Sequence, residues 1–438
     1  MLPFQNLYGL AQMSKLPYKD FVWLEKEEFA TVDWKRVDTE NKFGYFLEVD
    51  LDYPSKLHQS HSNFPLAPEN VEISFDDLSH ASKTVFTQLE NKDKYTDIKL
   101  VSTLHDRKNY VLHFKNLKLY LQLGLKLNKI HKVLQFRQKR FVAPFIEKCT
   151  VARQMSATKF EQDQFKKVAN SVYGKTIQNN RNYIQVKLHS KVSSLKQAIS
   201  SPTFKNFIII GDNLVQTNHS LSQITHDKPI YAGFTILELS KHFMFDFYYN
   251  ILVKDLKCKL DLGMSDTDSF LFKVDNSEVF RQHVHEHMDY SNYSEDDPRF
   301  SVKNKAKLGF FKDELAGKYI CTEFVGLKSK CYAMKLKDSS SKTLLDKKVC
   351  KGLGRVAIKN RLKFKHYKMC LFKGIPRRFD FHSIVSKKHK ITTTRLNKRA
   401  ISHFDAKRWI HHCGIHSDPY GSVEIKKKKC LLCPKCGN

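Results

Sequence analysis

The chain has 438 residues, 41% hydrophobic and 27% charged. That composition excludes a disordered or fibrous protein and allows two to four domains. Lys and Arg number 75 against 45 Asp and Glu, a formal net charge of +30. Solubility needs only a few charges, so this excess points to a polyanionic partner, nucleic acid above all. No run of about 18 apolar residues marks a membrane span, and "MLPFQNLYGLAQMSKLP" lacks the basic-then-apolar order of a secretory signal. Ten cysteines, the first at Cys149, follow no disulfide framework and fit a reducing compartment. An intracellular protein is expected, with nucleus and cytoplasm not separable.

In chain order, residues 41–54, "NKFGYFLEVDLDYP", alternate apolar and polar and predict a strand. Residues 57–82 are polar and rich in His, Asn and Pro, hence loop. Residues 97–114 read as a β-hairpin closed by "HDRKN", and 115–148 as mostly helical. A helix is expected over 160–177 and a strand at "NYIQVKLHS". Within 233–252, Ile236, Leu239, Phe243, Phe247 and Ile251 fall near helical spacing, the pattern of a core-facing helix. There follows "KCKLDLGMSDTDSFLFKV", in which Asp266 and Asp268 stand between two apolar runs. A tight turn between two strands is expected there, with both carboxylates held at the sheet edge. From 300 onward short strands alternate with basic loops. "SKKHKITTTRLNKRA" reads as a solvated segment and "KKKKCLLCPKCGN" as a polar tail.

A D-x-D alone is common by chance. Its meaning comes from "KKVANSVYGKT", residues 166–176. On a helix, Lys166, Asn170 and Tyr173 lie at i, i+4 and i+7 and share one face. Gly174 permits close approach of a backbone or nucleotide. One cation, one amide and one aromatic ring suit a nucleoside triphosphate, the lysine facing phosphate and the ring facing sugar or base.

The pattern K-x3-N-S-x-Y-G followed by D-T-D-S resembles family B DNA polymerases of the protein-primed type, found in phages, adenoviruses, linear plasmids and Polinton/Maverick transposons. "NLYGLAQMSKLP" (6–17) resembles the tail of that family's first palm motif, and Lys330-Cys331-Tyr332 its K-x-Y element. "GYFLEVDLDYPSKLH", "LELSKHFMFDFYYN" and "ISHFDAKRW" resemble the Polinton branch, so the likeness extends over nearly the whole chain. The resemblance implies an α+β polymerase right hand: an antiparallel palm sheet, helical fingers and a thumb, without an exonuclease domain. It places palm at 1–60 and 225–330, an insertion like the first terminal-protein region at 61–135, fingers at 136–185, a second insertion at 186–224, and thumb and basic tail at 331–438. It implies DNA-directed DNA synthesis by two-metal phosphoryl transfer, the two Mg2+ ions about 3.5–4 Å apart. Asp266 and Asp268 would be metal ligands, Lys166 would offset triphosphate charge, and Asn170, Tyr173 and Gly174 would shape the pocket. Tyr8 would exclude a ribose 2′-hydroxyl, and Lys330 and Tyr332 would hold the primer–template. The implied partners are primer–template DNA, dNTPs and a terminal-protein primer, with no membrane.

The chain departs from the family at one ligand. The first motif begins with an aspartate five residues before its tyrosine, and counting back from Tyr8 gives Pro3. A truncated or mis-started gene model is the expectation, a genuine minimal polymerase the second. The alternative function is a catalytically dead fragment that only binds nucleic acid. Asp50 and Asp52, in "VDLDYP", are weaker substitutes, expected to face solvent from a half-buried strand. Cys413, His416, Cys430, Cys433 and Cys436 have zinc-like spacing, against free cysteines in a tail. "GLGRVA" (352–357) lacks the preceding strand and later acid of a dinucleotide site. A nucleotide-sugar transferase would also use D-x-D, but neither the 166–174 face nor the positive charge suits one.

Overall fold

The computed structural model describes residues 2–426 except 91, 93, 340, 342 and 388. Helices pack on sheets whose strands pair antiparallel, apart from one two-residue parallel pair. No helix among the described residues is long and apolar enough to cross a membrane.

β1 (Leu2–Pro3) leads into a helix, Leu7–Met13, then β2 (Leu16–Trp23) and β3 (Phe43–Asp52), the strand expected over 41–54. Residues 57–82 are not all loop: they hold a short helix, His58–His61, and β4 (Glu69–Ser74), which pairs with β5 (Thr96–Val101). The hairpin expected over 97–114 does not form, because β5 pairs with β4 while β6 (Arg107–His113) joins β3. Tertiary burial decides this pairing. Leu112 on β6 enters the main core, and the buried Arg107 donates to the Ala67 and Thr103 carbonyls.

The expected helical stretch 115–148 contains a helix, Phe114–Gln122, and then the 14-residue strand β7 (Lys126–Lys139). Gly124, at φ +103°, turns the chain between them. β7 is buried on both faces at its centre, Val133 on one and Phe136 on the other. The strand period of two is therefore hidden in its sequence. The sheet order is β2-β7-β3-β6, so residues of the expected insertion 61–135 share a sheet with 16–52.

The helix expected over 160–177 is Lys159–Thr176. β8 (Ile184–His189), β9 (Phe204–Gly211) and β10 (Leu214–Ser220) form a separate sheet ordered β8-β10-β9, close to the expected second insertion. The core helix Ile230–Asp246 continues through a π-helical segment, Phe247–Val253. Ile236, Leu239 and Phe247 are buried, and Phe243 and Ile251 pack partly against the core. Its buried Glu238 accepts from the His113 backbone N–H at 3.2 Å, Asn116 Nδ2 at 2.8 Å and Lys241 Nζ at 2.8 Å, tying this helix to β6 and to Phe114–Gln122.

β11 (Leu260–Asp266) and β12 (Ser269–Val274) form the expected hairpin, and β1 lies along the other edge of β12, with Pro3 opposite Ser269. Phe270 is fully buried among Phe64, Tyr248 and Phe311. The parallel pair β13 (Met288–Asp289) and β14 (Phe311–Lys312) brings the buried Asp289 to the Gln5 side chain, which fixes the chain just beyond β1.

β15 (Tyr319–Lys328), β16 (Cys331–Asp338) and β17 (Leu344–Cys350) form a further three-stranded sheet, covered by the helix Phe364–Lys373. β17 precedes "GLGRVA", and a short helix, Arg355–Arg361, begins within it. The missing strand is thus present, but it is an antiparallel edge, not the parallel strand of a dinucleotide fold. The segment expected to be solvated over 386–400 is largely a strand, β19 (Lys390–Ile401), paired along its length with β18 (Arg377–Lys387). Solvation hid it, since Ile384 and Ile391 point outward.

Candidate active site

The D-T-D-S turn closes the β11–β12 hairpin. Thr267 takes a left-handed conformation, φ 54°, and Asp268 N–H donates to the Asp266 carbonyl at 2.6 Å. The Asp268 carbonyl in turn accepts from Phe4 N–H at 2.6 Å. The turn is therefore held from both sides, by its own hairpin and by the segment following β1.

Three further elements converge on it. The helix Lys159–Thr176 starts at a capping box, Thr158 with Glu161, which fixes its first turn. It docks on Leu7–Met13 through Gln12 Nε2, which donates to the Ala169 carbonyl at 3.2 Å. This brings Tyr173 onto Tyr8, ring centroids 4.5 Å apart and planes 12° apart. At the helix's other end, Thr176 and Ile177 press on Gly233, where any Cβ would collide. The turn between β15 and β16 supplies Lys330, itself left-handed at φ 58°, whose Nζ lies 3.3 Å from Asp266 Oδ1. Tyr332, buried, packs with Leu271, Met334 and Leu336 behind the β11–β12 hairpin.

The electrostatics show these groups share one space. Partial burial pushes the Asp268 carboxyl above the usual range. The Asp266 and Glu314 carboxylates add to this, while its own backbone N–H and the Lys166 charge oppose it. Burial raises the Tyr8 hydroxyl and the Asp268 charge raises it further, against the Tyr173 hydroxyl and Lys330. Tyr173 is pushed up to about 12 by burial and by Tyr8. Burial, then Glu314 and Asp266, raise Tyr332.

Seven of the expected residues thus come together: Tyr8, Lys166, Tyr173, Asp266, Asp268, Lys330 and Tyr332. Asn170 lies one turn before Tyr173, and its Oδ1 is buried without a hydrogen-bond partner. Beyond the adjoining residues and backbone of its own helix, no atom of the described residues lies within 4 Å of a Cβ position at Gly174, so that surface is open. Glu314 was not marked by any pattern in "FKDELAG"; only the fold brings its charge to Asp268 and Tyr332.

Asp50 and Asp52 lie elsewhere, in the four-stranded sheet. Asp50 does not face solvent as expected: it accepts from Asn109 N–H at 2.9 Å and bonds His131 Nε2 at 2.8 Å. Those bonds hold its carboxyl below the usual range. Cys413 Sγ and His416 Nδ1 are 3.3 Å apart in the turn between β20 (Trp409–Ile410) and β21 (Ser417–Asp418). Cys430, Cys433 and Cys436 lie outside the described residues. No group of three or more His, Cys, Asp or Glu placed to hold a metal exists among the described residues.

Hard carboxylate oxygens fit Mg2+, which keeps several waters and borrows oxygens from phosphates. Asp266 and Asp268 meet that chemistry for a metal shared with a triphosphate. Pro3, five residues before Tyr8, lies across from Ser269 in the pairing of β1 with β12.

No protein-family model and no curated protein matches the chain. Among solved structures it is similar to Phi29 DNA polymerase complexed with primer-template DNA in a post-translocation binary complex, with TM-score 0.52 and 13% identity over 91% of this chain. It is also similar to the ternary complex of that polymerase with primer-template DNA and incoming nucleotides, with TM-score 0.50 and 14% identity over 92% of this chain. The chain spans 57% of the length of each of these polymerase chains. At that identity the likeness is one of fold: this chain has the fold of Phi29 DNA polymerase over a little more than half of that protein's length.

Proposed function

We propose that the chain is the core of a DNA-directed DNA polymerase, adding dNTPs to a primer 3′-hydroxyl, of the protein-primed type and related to the Polinton branch. The observation that carries this is the convergence of the Lys166–Asn170–Tyr173 helix on the D-T-D-S turn through the Tyr8–Tyr173 stack. The likeness to a polymerase structure containing primer-template DNA and incoming nucleotides supports it. In this reading the β1-β12-β11 sheet, β15 and core helix are palm, Lys159–Thr176 belongs to the fingers, and β16–β19 to the thumb.

Asp266 and Asp268 would hold magnesium. When bound, that ion neutralises phosphate charge and polarises the reacting oxygens. Lys166, whose charge reaches Asp268, would face the triphosphate. The unpartnered Asn170 amide and the open surface at Gly174 receive the nucleotide. Tyr173 holds the Tyr8 ring flat, and Tyr8 then walls off the ribose 2′ position. Lys330, paired with Asp266 here, turns to the primer–template backbone when DNA occupies the site, beside the fixed Tyr332.

Primer extension with Mg2+ tests this, run on the chain and on Asp268→Ala. Incorporation lost in the variant supports the enzyme. The second reading, a protein that binds primer–template without catalysis, is favoured by Pro3, which leaves one expected carboxylate absent. It predicts no incorporation but duplex binding that weakens steeply with salt, as counterions are released from phosphates.

A further inference from the structure

A cavity of about 520 Å3 lies beside the residues that follow Tyr8 on its helix, with Leu10, Met13 and Ser14 in one wall. Helices Phe114–Gln122 and Ile230–Asp246 form the others. Its volume falls within the roughly 300–1,000 Å3 range of small-molecule sites.

The polar wall is cationic. Glu40 collects three cations: Lys115 Nζ at 3.0 Å, Lys15 Nζ at 3.5 Å and Arg140 Nη2 at 3.5 Å. Burial pushes the Glu40 carboxyl up, but Lys115 and Lys15 outweigh it and hold it below the usual range. Lys118 has no carboxylate partner among the described residues; its Nζ donates only to the Val37 carbonyl, at 2.8 Å. His242 and Asp246 line the same cavity from the core helix. Burial holds the His242 ring neutral, its pKa lowered to about 4, and its shielded Nδ1 has no hydrogen-bond partner. Three lining cations, Lys115, Lys118 and Arg140, therefore face two lining carboxylates, Glu40 and Asp246, around a space of ligand size. Arg140 is held to Glu40 by one long contact and is 61% exposed, so it is free to turn to another anion.

We propose that this cavity binds a phosphate-bearing small molecule. The phosphate sits between Lys118 and Arg140, with Lys115 behind, and Arg140 exchanges its contact with Glu40 for the forked contact its guanidinium makes with phosphate. The apolar part of the ligand packs on Leu10, Met13 and Phe243. Glu40 competes with the ligand for its cations. The site is distinct from the nucleotide face at 166–174 and does not depend on the polymerase reading.

Equilibrium dialysis of the full chain in phosphate-free buffer, with labelled inorganic phosphate and labelled AMP as probes, tests this. Lys118→Ala and Arg140→Ala should each weaken binding by about tenfold or more, the loss of one charge-assisted hydrogen bond. Glu40→Gln should tighten it. Circular dichroism of each variant reports retention of fold. No binding of either probe by the unaltered chain overturns the proposal. So does binding that Lys166→Ala removes and folded Lys118→Ala does not, which would place the probe at the nucleotide face. Binding of single-stranded oligonucleotide alone, with phosphate and AMP excluded, overturns it as well.

Discussion

Tyr8 and Tyr173 lie ring on ring, 4.5 Å between centroids, although they come from helices 165 residues apart in sequence. Stacked aromatic pairs contribute about 0.5–1.5 kcal/mol beyond their buried area. In the proposed site the pair also fixes one wall of the nucleotide space. Tyr8→Ala should raise ribonucleotide incorporation relative to deoxyribonucleotide, and Tyr173→Ala should raise the KM for dNTP more than it lowers kcat. Tyr8→Phe, which keeps the stack, should discriminate nearly as well as the unaltered protein. Steady-state incorporation of matched dNTP and rNTP measures both.

Asp268 has a raised carboxyl pKa, which gives its stability effect a definite sign. Below the ordinary carboxylate range the group is neutral in both folded and unfolded chains and costs nothing. As pH rises toward the folded pKa, ionisation becomes harder in the folded state, and above it the full penalty stands. Asp268→Asn should therefore raise the melting temperature at pH 7, and the gain should vanish near pH 3. Melting curves across that window check it; an equal gain at both ends would contradict the assigned cause.

Lys330 and Asp266 form a pair in which the lysine is 43% exposed. Such a pair adds little stability, so Lys330→Ala should leave the melting temperature nearly unchanged. Its effect should fall on DNA: weaker primer–template binding, with a salt slope shallower by about one unit. Binding titrations at several salt concentrations measure the slope.

Glu238 is a structural group, not a site group. Its side chain is 2% exposed and its three donors come from three elements. Removing one partner from a buried charged set costs about 3–5 kcal/mol. Glu238→Ala should lower unfolding free energy by about that much in urea, and Glu238→Gln, which keeps acceptor and shape, by less.

Pro3 faces Ser269 across β1 and β12. If that is the place of a missing ligand, Pro3→Asp should tighten Mg2+ binding, read by calorimetry in the presence of a non-reacting dNTP analogue. Unchanged affinity would show that position 3 does not reach the metal.

The site was legible in sequence because its residues lie in two short local patterns, and local pattern fixes a helix face and a hairpin turn. Lys166, Asn170 and Tyr173 had to share a face once 159–176 was helical, and Asp266 and Asp268 had to sit at an edge once two apolar runs flanked them. What joins the two was not local. The Gln12–Ala169 bond, the Gly233 contact and the Lys330–Asp266 pair each span long stretches of chain. The fold was harder to read where burial on both faces erased alternation, as at Val133 and Phe136 in β7, or where solvation on both faces did, as in β19. Strand partners were the least legible: β5 and β6 looked like one hairpin, and only the burial of Leu112 and Arg107 sends them to different neighbours.

The central claim is that the 166–174 helix face and the D-T-D-S turn form one nucleotidyl-transfer site. The direct measurement is single-turnover primer extension with Mg2+ and the templated dNTP, on the unaltered chain and on Asp268→Ala. The account predicts one-nucleotide extension that the substitution abolishes while primer–template binding persists. Absence of extension by the unaltered chain, or extension that survives in Asp268→Ala, would contradict it.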